Sequence, residues 1–201
     1  MTDTARAPAN PTSVCVYCAS SNAADTAFME AAERFGALLA ENGVRLVYGG
    51  GGVGLMGAAA RGAWKAGGKV LGVMPEFLVD RERLFHEVET LVVQSMHERK
   101  QIMFEQSDAF AILPGGIGTL EEIVELMSWR RLELHRKPMV FYSPGGFWDP
   151  LFSLVDHTIE QNLTPSWFRE TWRSVGAVED ILPAIREMAP AGPQTDPADL
   201  V

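Results

Sequence analysis

Two adjacent cations stand where an amphipathic helix should be apolar. Over Met96–Gln106 the spacing predicts a helix, and Met96, Arg99, Lys100 and Met103 fall at i, i+3, i+4 and i+7, on one face. Ile102 and Phe104 widen the apolar surface around them. Long basic side chains can snorkel to water from such a position. The alternative is that Arg99 and Lys100 point into an anion-binding pocket, since broken local rules tend to mark functional sites.

A second constellation follows a predicted strand at Ala109–Leu113. Pro114-Gly115-Gly116-Ile117-Gly118-Thr119 is a glycine loop that opens a helix. Free amide donors and the helix dipole make such a terminus a phosphate cradle. The Walker pattern is absent, so nothing supports a triphosphate-and-magnesium mechanism. Thr119 and Glu122, three apart, read on their own as a capping box with Thr119 at the N-cap. Periodicity gives another reading. Leu120, Ile123, Val124 and Met127 make a core stripe, and Glu122 lies beside it with Thr119, Leu126 and Trp129. That places a carboxylate one turn from the cradle, within reach of a sugar joined to the phosphate.

Other candidates are weaker. Gly52-Val53-Gly54-Leu55-Met56-Gly57 fits G-x-G-x-x-G, with Glu76 placed as a ribose-binding acid, but it follows the second predicted strand and not the first. A dinucleotide site, a tight packing turn and the wall of a mononucleotide pocket all remain open for it. Cys15 and Cys18 have C-x-x-C spacing, yet they lie on an apolar strand where residues three apart face opposite sides. Buried structural thiols are the expectation, with no metal site. Neither G-x-S-x-G nor H-E-x-x-H occurs. Of the four lysines, Lys65, Lys69, Lys100 and Lys137, Lys100 alone is placed for a Schiff base.

The elements that must position these residues form a simple alternation. Strands are predicted at Val14–Cys18, Arg45–Tyr48, Lys69–Met74, Thr90–Val93, Ala109–Leu113 and Pro138–Tyr142, with a weak one near Ser174–Ala177. Helices are predicted at Thr26–Glu41, Gly54–Ala66, Met96–Gln106, Thr119–Arg131, Trp148–Gln161 and Val178–Met188. The strands are continuous apolar runs, the pattern of strands covered on both faces. The expectation is an α/β single domain: a Rossmann-like doubly wound parallel sheet with helices on both faces. Its ligands bind outside the carboxyl ends of the strands. The domain is expected over residues 13–189, with a flexible arm at 1–12 and a Pro-rich tail at 190–201.

Composition bounds the function classes. The chain has 201 residues, 47% hydrophobic and 21% charged, enough for one large core. Its net charge of −9 disfavours a general nucleic-acid binder. No apolar run approaches a membrane span and no signal-peptide core stands at the N-terminus, so a cytoplasmic protein with no membrane partner is expected.

Taken together, Met96-His97-Glu98-Arg99-Lys100 and Pro114-Gly115-Gly116-Ile117-Gly118-Thr119-Leu120-Glu121-Glu122 resemble the LOG (Lonely Guy) family, whose pattern is M-H-x-R-K followed by P-G-G-x-G-T-x-x-E. The Gly50–Gly57 loop and Cys15–Ser21 resemble it too, and the similarity runs over roughly residues 13–188. One departure is Ala19, where many relatives carry Gly. The resemblance implies hydrolysis of the N-glycosidic bond of N6-substituted adenosine 5′-monophosphates (cytokinin riboside monophosphates) to free base and ribose 5-phosphate, in a homodimer with no cofactor. It places the catalytic pair on Arg99 and Glu122. Substrate binding falls on Glu82, Met96, Lys100, Gly115, Gly116, Ile117, Gly118, Thr119, Leu120, Glu121 and Ser128. Some members carry a lysine decarboxylase label, which the shortage of candidate lysines disfavours. The alternatives are a general AMP or purine monophosphate nucleosidase, or a non-catalytic carrier of a nucleotide-like cofactor. A carrier needs the phosphate loop but not Arg99 with Glu122.

Overall fold

The computed structural model describes residues 10–188. Seven strands form one parallel sheet: β1 (Ser13–Tyr17), β2 (Arg45–Tyr48), β3 (Val70–Pro75), β4 (Glu89–Val93), β5 (Ala109–Ile112), β6 (Met139–Tyr142) and β7 (Arg173–Val175). Their order in space is β4-β3-β2-β1-β5-β6-β7. The chain winds outward one way from β1, returns, and winds outward the other way from β5. The strand order therefore reverses between β1 and β5, and a crevice opens beyond their carboxyl ends. The expected α/β doubly wound sheet is the observed one.

The helices are α1 (Thr26–Glu41), α2 (Gly54–Lys65), α3 (Val79–Glu82), α4 (Met96–Glu105), α5 (Ile117–Arg131), α6 (Asp149–Glu160) and α7 (Ile181–Met188). Side-chain alternation on β1 divides the core into two layers. Val14 and Val16, with Cys18 just beyond the strand, pack with Phe35 and Leu39 of α1, Leu55 and Ala59 of α2, and Ile181 and Ile185 of α7. Cys15 and Tyr17 pack the other way, with Met103 of α4 and Ile123, Leu126 and Met127 of α5. The two thiols thus lie in opposite layers, free and buried. Burial pushes both well above the ordinary thiol range.

Four differences from the sequence reading have physical causes. β4 is an edge strand, so Leu91 and Val92 stay exposed instead of being covered on both faces. The short α3, with the turn before it at Glu76–Leu78, carries too few residues to show a period. A 3-10 turn at Ser166–Thr171 escapes for the same reason. On α5 the buried stripe is Ile123, Leu126 and Met127, and Val124 faces solvent.

Of the expected arm, only Asn10–Thr12 lie among the described residues. Thr12 is tied down there, its N–H and Oγ1 donating to Asp108 Oδ2 at 2.7 and 2.8 Å. The expected tail lies outside the described residues. No helix among the described residues is long and apolar enough to cross a membrane.

Two glycines set the spacing of α1 on α2. A Cβ at Gly36 would overlap the Ala59 carbonyl oxygen, and one at Gly62 would overlap that of Glu33. Backbone meets backbone, so no rotamer change can make room. Gly62→Ala should lower the unfolding free energy by about 1–3 kcal/mol, read as a lower urea midpoint with an unchanged slope.

Candidate functional site

The reversal point is stitched together by backbone. The Ala19 N–H after β1 donates to the Pro114 carbonyl after β5 at 3.1 Å. The Met56 N–H of α2 donates to the Ala19 carbonyl at 3.2 Å, and Gly54 N–H to Asn22 Oδ1 at 3.0 Å. Gly54 sits at φ +59, against Ser20, where any side chain would clash. The G-x-G-x-x-G segment is therefore mainly a packing turn, and the first amides of α2 are already engaged. Only Met56 of this segment reaches the cavity, as a wall residue. This geometry argues against a dinucleotide site.

The cavity above this seam has a volume of about 590 Å³. The loop after β1 contributes Cys18, Ala19, Ser20 and Ser21. Glu82 comes from α3, and Met96 and Arg99 from α4. The first turns of α5 supply Gly116, Ile117, Gly118, Thr119, Glu121 and Glu122.

Helix α5 begins two residues earlier than its sequence suggests. Gly116 occupies the N-cap and has no side chain to close the first turn. Thr119 is the third helical residue, buried, with its hydroxyl packed where a Cβ on Gly115 would stand. The capping box does not form. The first-turn amides border the cavity, and a Cβ at Gly116 or Gly118 would meet nothing within 4 Å. An anion can approach this backbone closely, with the helix dipole behind it.

Arg99 forms the floor. Its Nε donates to the Val73 carbonyl and its Nη2 to the Gly49 carbonyl, each at 3.2 Å. These are acceptors within β3 and just after β2, so two neighbouring strands fix the guanidinium. A Cβ at Gly49 would overlap Arg99 Nη2, which is why the position is glycine. The remaining edge of the guanidinium turns to Met96 Sδ and to Glu122, with Nη1 3.9 Å from each of Sδ and Oε1. Both side chains are buried. Burial drives the Glu122 carboxyl up to about 7; Arg99 pulls it down, but Glu121 and Glu82 add to the rise.

Lys100 does not enter the cavity. It is buried against α5, paired with Glu121 and, at 3.1 Å, with Glu125 Oε2. Desolvation disfavours its charge, but hydrogen bonds to the two carboxylates more than offset that, and its pKa is raised. A charged, doubly paired ammonium is a poor Schiff-base nucleophile. Glu121, by contrast, reaches the rim of the cavity.

The structure brings together Glu82, Met96, Arg99, Gly116, Ile117, Gly118, Thr119, Glu121 and Glu122. It leaves Lys100, Gly115, Leu120 and Ser128 outside the lining, and Ser128 faces solvent two turns further along α5. Cys18, Ala19, Ser20, Ser21 and Met56 line the cavity without having been singled out as site residues. Their signal was position after the first strand, where the fold puts ligands.

The chain matches the family described as "Possible lysine decarboxylase" over residues 56–185. It is 37% identical over 178 residues to the cytokinin riboside 5′-monophosphate phosphoribohydrolase LOG of Oryza sativa subsp. japonica, covering 88% of this chain and 74% of that one. It is 42% identical over 168 residues to the cytokinin riboside 5′-monophosphate phosphoribohydrolase of Rhodococcoides fascians, covering 82% and 85%. The chain belongs to the LOG family. Among solved structures, the molybdenum cofactor carrier protein of Chlamydomonas reinhardtii superposes with a TM-score of 0.68 at 20% identity, covering 88% of this chain and 96% of that one. At that identity the likeness carries the fold alone. In this member of the LOG family no lysine lines the cavity, so lysine-based chemistry has no group to act there.

Holding Glu122 in this site costs stability, and the cost depends on pH. Its folded pKa of about 7 exceeds the ordinary 4.5, so the folded state binds the extra proton between those values. The penalty is absent below pH 4.5 and complete above 7. Glu122→Gln should therefore gain stability relative to the parent by about 3 kcal/mol between pH 4.5 and pH 8. Paired urea titrations at the two pH values check this.

Proposed function

We propose that the protein hydrolyses the N-glycosidic bond of N6-substituted adenosine 5′-monophosphates, releasing free base and ribose 5-phosphate. One observation carries the reading. A buried Arg99–Glu122 pair lies at the floor of a cavity whose rim is the uncapped N-terminus of α5. Phosphate site and carboxylate are one helical turn apart, the separation a nucleoside 5′-monophosphate requires. The relatives named for this activity supply the substrate class.

N-glycoside cleavage passes through a ribose with oxocarbenium character. The amides of Ile117, Gly118 and Thr119 hold the 5′-phosphate and so fix the sugar above the floor. The Glu122 carboxylate binds the ribose hydroxyls, stabilises the positive charge that develops at C1′ and polarises the attacking water. Its interaction with that charge is strong because the site is buried. Arg99 orients Glu122 and keeps part of its population ionised. Lys100 contributes indirectly, holding Glu121 at the cavity edge. Met56, Met96 and Ile117 give the cavity an apolar side suited to the N6 substituent. The reaction consumes water and no cofactor.

The enzyme is further proposed to act as a homodimer in the cytoplasm. Ile117 and Val124 lie seven residues apart on α5 and are 85% and 56% exposed, and Leu132 and Leu134 beyond the helix are exposed as well. Apolar side chains this open along one element suit a self-association surface.

Release of free base from N6-isopentenyladenosine 5′-monophosphate and from AMP, measured in parallel, tests the reading. Faster release from the isopentenyl compound is expected, and Glu122→Gln should lose it by at least about 10²-fold. Faster release from AMP would make the enzyme a general purine monophosphate nucleosidase. Nucleotide binding without release would favour a carrier. Because the carboxylate is the working form, kcat should fall as pH drops through about 7. Gly49→Ala, which displaces Arg99, should reproduce the loss caused by Arg99→Ala while the chain stays folded by circular dichroism.

A further inference from the structure

The mechanism above leaves the departing base without a proton donor. An adenine ring leaves poorly as an anion, so cleavage needs an acid near the base. Glu82 is unused in that mechanism, and its surroundings are unusual. Its carboxylate lines the same cavity as Glu122 and Arg99. Its Oε2 is buried and has no hydrogen-bond partner among the described residues. A buried, unsatisfied carboxylate oxygen is costly unless the group is protonated or a ligand completes it.

The fold goes to some length to keep Glu82 there. The Gly52 N–H donates to the carbonyls of Glu82 and Arg83 at 3.1 and 2.7 Å, and Gly51 forms a bridge with Leu84. Arg83, directly after Glu82, takes φ +49, a strained value for a residue with a side chain. A Cβ on Gly51 would stand 3.3 Å from Glu82 Oε2 and 2.9 Å from Met56 Cε. Part of the glycine run after β2 therefore makes room for this carboxylate. Strain and close approach converge on one side chain at the cavity wall.

We infer that Glu82 is the general acid of the reaction, delivering a proton to a ring nitrogen of the leaving base while Glu122 serves the ribose and the water. The inference rests on the proposed hydrolysis and assigns a role within the same site. As the C1′–N9 bond breaks, its electron pair passes into the purine. The Glu82 proton moves to N3 or N7, and the base departs as a neutral tautomer. Water adds its oxygen to C1′ and gives its proton to Glu122. Glu82 ends ionised and Glu122 protonated, and exchange of one proton through solvent restores the starting state. The division follows the general rule for glycoside hydrolysis, in which one carboxyl group donates and the other acts as base or stabiliser.

The charges around Glu82 suit this use. Arg99 approaches from α4, Glu121 and Glu122 from α5, and the Cys18 thiol from the loop after β1. Lys100 is held away by Glu121 and Glu125. Burial raises the Glu82 carboxyl above its ordinary value, and Arg99 only partly reverses this. Glu82 adds to the rise of the Glu122 carboxyl, and the reactive arrangement has one proton between the two groups.

The test compares two substrates in Glu82→Gln and the parent enzyme. N6-isopentenyladenosine 5′-monophosphate needs its base protonated, whereas the 5-phosphate of 4-nitrophenyl β-ribofuranoside has a leaving group that departs unaided. The variant should lose about 10²–10⁴-fold in kcat on the nucleotide. On the nitrophenyl compound the loss should stay within about tenfold, on the same general-acid argument. KM should change little, the alkaline limb of the pH profile should disappear, and the acid limb should move to lower pH as a neighbouring charge is lost. Equal losses on both substrates, or a loss confined to KM, would show a binding role and overturn the assignment. Unchanged turnover of the nucleotide by the variant would overturn it as well. If the parent enzyme cleaves neither substrate, the proposed hydrolysis falls and the assignment falls with it. Thermal unfolding of the variant, and Glu82→Ala as a second replacement, separate a folding defect from a catalytic one.

Discussion

The site depends on one arrangement: a buried guanidinium held by a backbone carbonyl within β3 and another just after the neighbouring β2. Arg99 donates to Val73 and Gly49, and both acceptors belong to the sheet side of the crevice. β3 runs on past its last pair with β2, Tyr48 with Gly72, and a cation placed beside the carbonyls there is well solvated by the protein. That fixed positive charge is what allows a cluster of carboxylates to be gathered around one cavity. Without it, Glu122 and Glu82 would face each other across a low-dielectric space with nothing to balance them.

The architecture supplies a second condition. The strand order reverses between β1 and β5, so the loops that follow them diverge and leave a crevice. The backbone bonds between Ala19 and Pro114 and between Met56 and Ala19 stop that crevice from opening further. The N-terminus of α5 then stands on one side and the Glu82 segment on the other. The first-turn amides of α5, a raised carboxylate and an apolar side are brought within one cavity. The two glycine runs have different duties. The one before α5 leaves backbone exposed to a ligand, and the one before α2 lets chain segments touch.

Much of this was legible in the residues. The cation pair in the apolar stripe of α4 is buried, as the i, i+3, i+4, i+7 pattern indicated. Glu122 lies on the first turns of α5, close to the Gly115–Thr119 loop, where helical periodicity put it. The strands and most helices fall within one or two residues of their expected limits because continuous apolar runs and amphipathic periods carry strong signals. Three other residues stand differently in the fold than their spacing alone indicated. Thr119 looked like an N-cap, yet glycine at 116 lets the helix start earlier. Lys100 looked like an anion ligand, and only the packing of α4 on α5 shows that Glu121 and Glu125 take its charge. Ser128 shares its helix with the site but faces solvent.

Local spacing therefore determined which residues share a helix face, where the glycine turn before α5 lies and which side of the sheet each strand residue faces, because these follow from local turn chemistry and from periods of two and 3.6 within one element. Tertiary structure decided the rest. Whether a cation meets a phosphate or a carboxylate, whether a glycine serves a ligand or a neighbouring loop, and which carboxyl group keeps a proton all depend on atoms distant in the chain. Burial and charge pairing act through space, and the long-range contacts that set them leave no period in the sequence.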